Sequence, residues 1–301
     1  MVSLLMDASS ELVHSLLPVL MVSVLGASII TVGIIEGVAE ATAAVTKVFS
    51  GVISDYLGRR KLLAVLGYGL AAITKPVFPL AVTIEWVFAA RFVDRIGKGI
   101  RGSPRDALVA DMAPPALHGA AYGLRQSLDS VGAFLGPLLA LGLMMWFAND
   151  IRAALWVAVI PAILSVTVLI FGVHEHKHAE GHARVRMPIT LRDALQLHKR
   201  YWFVVLLGAV FTLARFSEAF LVLRAQDVGL ALAYIPLVLI IMNVVYAATA
   251  YPAGAASDRL SHRSMLALGL GMLVIADIVL AAATSPLPAL AGAALWGLHM
   301  G

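Results

Sequence analysis

The chain has 301 residues, 60% of them hydrophobic and only 13% charged, with a mean hydropathy of +0.91. A soluble domain covers its surface with about 25% charged residues, so this chain is not a protein wetted all round. It has no cysteine, which excludes disulfides and thiolate metal sites, and its net charge of +4 sits in short loops between apolar segments, a pattern of membrane topology and not of a nucleic-acid face.

A bilayer-spanning helix needs about 20 mostly apolar residues. On that ruler, spans fall near 4–27, 29–53, 62–83, 86–110, 120–147, 152–173, 201–224, 231–256 and 264–284, and a tenth begins near 288. No basic leader with a small-residue cleavage site precedes the first, so no removable signal peptide is expected. The loops on one side carry Arg59, Arg60, Lys61, Lys98, Arg101, Arg105, Lys177, Arg184, Arg186, Arg192, Lys199, Arg200, Arg259 and Arg263, against Arg152 and Arg224 on the other. Cytoplasmic loops are the basic ones, which puts the N-terminus inside. The longest polar segment, 174–200, follows the sixth span. It divides the chain into a six-helix bundle at 1–173, a cytoplasmic linker at 174–200, and a second bundle at 201–301 that ends within its fourth helix.

The loop after span two reads Gly51-Val-Ile-Ser-Asp55-Tyr-Leu-Gly58-Arg59-Arg60-Lys61, and the loop after span eight reads Gly254-Ala-Ala-Ser-Asp258-Arg259-Leu-Ser261-His262-Arg263. The two align without a gap, 203 residues apart, each at the cytoplasmic end of the second span of its half. Such repetition is expected where two bundles rock about a central site. The first loop resembles the signature loop of the major facilitator superfamily, with Tyr56 where a basic residue is common, and the second resembles its degenerate copy. Arg91-Phe-Val-Asp94-Arg95-Ile-Gly97 in span four is similar to the family's R-x-x-Q-G-x-G, with Asp-Arg in place of Gln-Gly. Gly123, Gly132 and Gly136-Pro137 in span five resemble its antiporter signature, whose closing Gly pair is here Ala140 and Leu141. The resemblance implies an all-α membrane protein in the two-bundle fold, the second bundle incomplete in this chain. A repeat of this length further predicts a full protein of about 400 residues and twelve spans.

The residues themselves fit such a reading. Gly51 would admit a close helix, and Gly58 can take the positive φ of a tight turn. Asp55 is placed to latch the inner gate by accepting hydrogen bonds across the bundle seam, and Arg59 and Arg60 to pair with acids such as Asp94 or Asp106. The bland alternative makes the basic residues topology anchors only. Gly132 and Gly136 form a G-x-x-x-G face beside Pro137, whose role is gating or plain packing.

Charges deep in a span cost about 2.5–3.5 kcal/mol each on insertion scales, so they mark candidate sites. Lys47, Lys75, Arg91, Arg95, Arg125 and Arg215 lie within spans, with Asp7, Glu11, Glu36, Glu40, Asp94, Asp129, Glu218 and Asp277. Spacings of three or four predict intrahelical pairs Arg91–Asp94, Arg125–Asp129 and Arg215–Glu218. Glu40, Asp94 and Asp129 lie roughly 12–17 Å from a span end, near mid-depth. Glu40 has no basic residue within four positions on its helix and is the expected proton carrier. Asp7 and Glu11 either frame a cavity mouth or mark a polar helix start, and Arg91 can hold an anionic group. His174, His176, His178 and His182 give the linker a composition that suits metal or simply a solvated segment. No metal centre is assigned, and Gly97-Lys98-Gly99 is no phosphate loop.

These features predict a monomeric secondary transporter of the bacterial inner membrane, whose partners are a small-molecule substrate, protons and the bilayer. It is not an enzyme, and no cofactor is implied. The antiporter-like span five and the acid in span two point to proton-coupled efflux. Uptake of a metabolite or anion, led by Arg91 and Arg215, and a non-transporting scaffold or receptor are the alternatives.

Overall fold

The computed structural model describes residues 1–114, 117–173, 198–257 and 261–300, and every regular element among them is helical. The helices fall on the ten expected segments. Spans one to four are Val2–Val19 with a wider turn at Leu20–Val24, Ile29–Leu57, Arg60–Thr74 with Val77–Leu80, and Ile84–Met112. Spans five and six are His118–Trp146 and Ile151–Val157 with Val159–Gly172. Spans seven to ten are Lys199–Ala214 with Glu218–Asp227, Leu237–Ser257, His262–Ala282 and Pro286–Met300. Among the described residues, seven segments are long and apolar enough to cross a bilayer. The other three fall short for separate reasons. Span four is loaded with charge, span seven breaks at Arg215-Phe216-Ser217, and span ten has 15 described residues.

Local chemistry sets the helix ends. The Ser28 hydroxyl accepts from Thr31 N at 3.1 Å to start span two, and the Asp150 carboxylate accepts from Ala153 N at 3.1 Å to start span six. Span two stops at Gly58, whose φ of 61° is the left-handed turn expected of the loop motif. Span three bends after Lys75 because Pro76 lacks an amide hydrogen to continue the ladder.

Span one is the axle of the first bundle: its apolar window is 67% buried, against 17% for span nine. Span five packs along it at Gly132 and Gly136. A Cβ on Gly132 would lie 2.7 Å from the Leu4 carbonyl oxygen, and one on Gly136 would lie 2.6 Å from the Glu11 Cβ. The G-x-x-x-G face is therefore a backbone-to-backbone contact that no larger residue permits. Gly123 has no such role, since a Cβ there meets nothing within 4 Å; the helix has already diverged from span one at that level. Gly51 likewise has ordinary clearance, 3.4 Å to the Ser103 hydroxyl. Large apolar side chains such as Ile30, Trp146, Phe171 and Leu287 point outward and are exposed, as a hydrocarbon solvent requires.

Spans one to six pack mutually, and so do spans seven to ten. The two groups meet along spans one with seven and five with eight. Gln226 donates to Ser23 at 2.6 Å, and Asn243 donates to the Ala133 carbonyl at 3.2 Å. The first of these contacts lies at the face opposite the basic loops, so the halves are closed there and separate toward the basic face.

Candidate functional site

A cavity of about 760 Å³ lies in that separation. Spans one, two, four, five and eight wall it, with Glu11, Glu40 and Asn243 at depth and Lys47, Gly102 and Arg105 toward the basic face. Of the sequence-expected site residues, Glu11, Glu40 and Asp129 line it. Asp7, Lys47, Lys98, Arg101 and Arg105 join them. Asp7 takes the place at a cavity mouth that the sequence allowed it, and the signal for Lys98, Arg101 and Arg105 is their three- and four-residue recurrence along span four.

Three expected pairings are corrected. Arg91 does not pair with Asp94 on its own helix. Its guanidinium forks onto Glu36 of span two, Nε to Oε1 at 3.1 Å and Nη2 to Oε2 at 2.7 Å, with both side chains buried. Asp94 instead accepts from Lys75 of span three at 2.9 Å, and Lys75 also donates to Ser10 of span one at 3.1 Å. Spacing along one helix finds only intrahelical partners; here the bundle brings bases from neighbouring helices closer. Glu36, Arg91 and Asp94 are thus sealed inside the first bundle and do not line the cavity. Glu40 is not unpaired, because Arg95 of span four reaches it at 2.9 Å, although Glu40 remains 59% exposed toward the cavity. Arg60 pairs with Asp111, not with Asp94 or Asp106, and Lys61 donates to the Ile170 carbonyl at 2.7 Å.

Two pairs are found as expected in partner, one of them in a different setting. Arg125 reaches Asp129 at 2.8 Å within span five, and Arg105 approaches the same carboxylate at 3.7 Å. Arg215 stands 3.9 Å from Glu218, but across the break in span seven and not within one helix, with its guanidinium over the Trp296 ring. Arg59 and Arg263 are exposed at the ends of spans three and nine. A Cβ at Gly254 would meet nothing within 4 Å, and Pro137 is buried beside Gly136. The side chain of Asp55, with Asp258, Arg259 and the four linker histidines, lies outside the described residues.

His14 is the residue the sequence reading missed. It lies one turn beyond Glu11 on span one, and its ring stands 3.6 Å from Glu11, 4.0 Å from Glu36 and 3.9 Å from Glu218. Its three-residue spacing from Glu11 is a readable signal for an intrahelical pair, and only the fold brings Glu36 and Glu218 to it.

The separated halves, the broken seventh span and the charge-bearing cavity between them describe a two-bundle membrane protein, and comparison decides its family. The sequence model for the Major Facilitator Superfamily matches residues 1–301. The chain belongs to the major facilitator superfamily. An MFS-type transporter of Methanocaldococcus jannaschii is 32% identical over 276 residues, covering 89% of this chain and 67% of the relative. Among solved structures, the nucleoside transporter NupG superposes with a TM-score of 0.78 at 12% identity, over 99% of this chain and 77% of that one. A bacterial homolog of the human lysosomal transporter Spinster, in an inward-facing and unoccupied conformation, superposes with a TM-score of 0.73 at 16% identity, over 99% of this chain and 71% of that one. The all-helical MFS fold is therefore shown, with its second bundle incomplete in this chain. This MFS protein is a multi-pass membrane protein from a family of transporters, not of enzymes.

Proposed function

We propose that the chain exports a small organic molecule by alternating access, coupled to protons. The observation that supports this best is the 760 Å³ cavity between the halves with carboxylates in its wall. In this reading residues 1–173 and 201–301 are the moving bodies joined by the linker 174–200, and the chain works as a monomer in the inner membrane. The basic face is cytoplasmic, which makes the described state inward-facing, and the loop from Gly51 to Lys61 latches that gate through Asp55.

The proton carrier is assigned to Glu11 in place of Glu40. Among the described residues Glu11 has no lysine or arginine within 4.0 Å, whereas Glu40 and Asp129 each have one at about hydrogen-bond distance. A cavity carboxylate uncommitted to a permanent cation can exchange its proton without breaking an ion pair. Ligands are first found by thermal stabilisation of the purified protein with dicarboxylates, sugar phosphates and nucleosides. In proteoliposomes, Glu11→Gln should then retain counterflow of the hit and lose its accumulation by a proton gradient. Accumulation by the variant at the wild-type level would refute the assignment.

Uptake of an anion is the second reading, and a different pair of residues favours it. Arg91 is committed to Glu36, but Lys47 and Lys98 are exposed at the cavity wall with no carboxylate within 4.0 Å among the described residues. They offer two free ammonium groups to a carboxylate or phosphate. Influx of a dicarboxylate down its own gradient, with no response to protons, would favour this reading over export.

A further inference from the structure

Charged groups of the two bundles meet at His14, at the inner end of the cavity that Glu11 lines. Three side chains converge there: Glu11 and His14 from successive turns of span one, and Glu218 from the first turn after the break in span seven. Their ligating atoms, Glu11 Oε2, His14 Nδ1 and Glu218 Oε2, all lie within 4.8 Å of one another. Among the described residues His14 Nε2 is buried without a hydrogen-bond partner, and the ring nitrogen Nδ1 stands between the two carboxylates at 3.6 and 3.9 Å. Two half-buried carboxylates and an imidazole held in this way share a need for one positive centre.

We infer that Glu11, His14 and Glu218 form a binding site for a single divalent transition-metal ion of the Zn²⁺ or Mn²⁺ class, closing across the seam between the two halves. The geometry suits that chemistry. Ligands about 2.1 Å from a tetrahedral ion stand about 3.4 Å apart, and the histidine nitrogen is 3.6 Å from one carboxylate oxygen and 3.9 Å from the other. Movements of a few tenths of an ångström close the two histidine–carboxylate gaps, and a rotation of the Glu11 or Glu218 side chain brings the two carboxylate oxygens, within 4.8 Å of one another, to the same spacing. Two carboxylates and a neutral imidazole also balance the ion's charge, and Arg215 faces the other oxygen of Glu218, Oε1, leaving Oε2 to the ion.

The surroundings fit as well. A metal-bound histidine usually turns its second nitrogen toward a carboxylate that fixes the ring. Glu36 stands on that side, 4.0 Å from Nε2, and is itself held by the Arg91 fork. The row Arg91, Glu36, His14 thereby orients the ligand from inside the first bundle, while Glu218 arrives from the second. An ion bound there ties the halves together on the side where they already touch, and opposes their swing.

The test uses the full chain, purified in detergent without an affinity tag. His174, His176, His178 and His182 are replaced by glutamine so that the linker takes up no metal. Equilibrium dialysis against Zn²⁺ alone should then give one ion per chain, and Mn²⁺ should bind more weakly, following the usual order of divalent affinities. His14→Gln and Glu218→Gln should each raise the apparent Kd for Zn²⁺ at least tenfold. Glu11 is left unchanged, and the readout is Zn²⁺ binding and not transport, so failure of the site is distinguishable from failure of Glu11 as proton carrier in the ion-free protein. Absence of stoichiometric Zn²⁺ uptake, or uptake that neither substitution weakens, would overturn the site.

Discussion

Arg91→Met is the sharpest perturbation of the first bundle. Methionine keeps much of the arginine's length and apolar packing but leaves Glu36 without the two hydrogen bonds of 3.1 and 2.7 Å that now satisfy it. Glu36 is 2% exposed, and the His14 ring, its other close ionisable neighbour, is 4.0 Å away. Breaking a buried ion pair from one side costs about 3–5 kcal/mol, because an uncompensated charge stays behind. At about 2 °C or more per kcal/mol for a chain of this size, the unfolding midpoint in detergent should fall by about 6 °C or more, read at a fixed scan rate. Glu36→Gln combined with Arg91→Met removes both charges and should recover at least half of that loss. A single variant within about 1 °C of wild type, or a double variant worse than Arg91→Met, would refute the view that this pair is a sealed structural element and not a substrate site.

The remaining predictions concern packing and the cavity. Gly136→Val should prevent stable assembly, because even a Cβ meets the span-one backbone at under 3 Å, whereas Gly123→Val should leave the melting temperature within about 2 °C of wild type; size-exclusion profiles and melting curves check both. Arg95→Gln should free Glu40, and if the Arg95 contact restrains that carboxylate, single-cysteine labelling at Ala44 in the same wall should change rate while the fold is kept. Lys98→Gln should weaken stabilisation by anionic ligands about tenfold and leave that by neutral nucleosides unchanged, measured by thermal shift.

Much of the fold was written in hydropathy and loop charge. Span length and the positions of Arg59, Arg60 and Lys61 are properties of single segments, and the paired loops at Gly51 and Gly254 carry the internal repeat. The left-handed turn at Gly58 and the close face at Gly132 and Gly136 were also local enough to read. Contacts between helices were not. Arg91 and Asp94 are suitably spaced for one another, yet each is claimed by a neighbour, Glu36 or Lys75, at a sequence distance no helical period reports. Glu40 looked isolated for the same reason. The meeting of His14 with Glu218 depends on a break in span seven at Arg215-Phe216-Ser217, where Ser217 followed by Glu218 is a helix-start signal inside an otherwise apolar span that hydropathy alone reads through.

The central claim is that the space between the two halves opens alternately to either side. The chain has no cysteine, so single cysteines at Ala44 or Ala247, both on the cavity wall, can be labelled with an impermeant maleimide in oriented vesicles. The account predicts reaction from the basic face in the described conformation. It also predicts slower reaction from the opposite face, with a transported ligand changing the two rates in opposite directions. Labelling confined to one face under every ligand condition and pH, or absent from both, would contradict it.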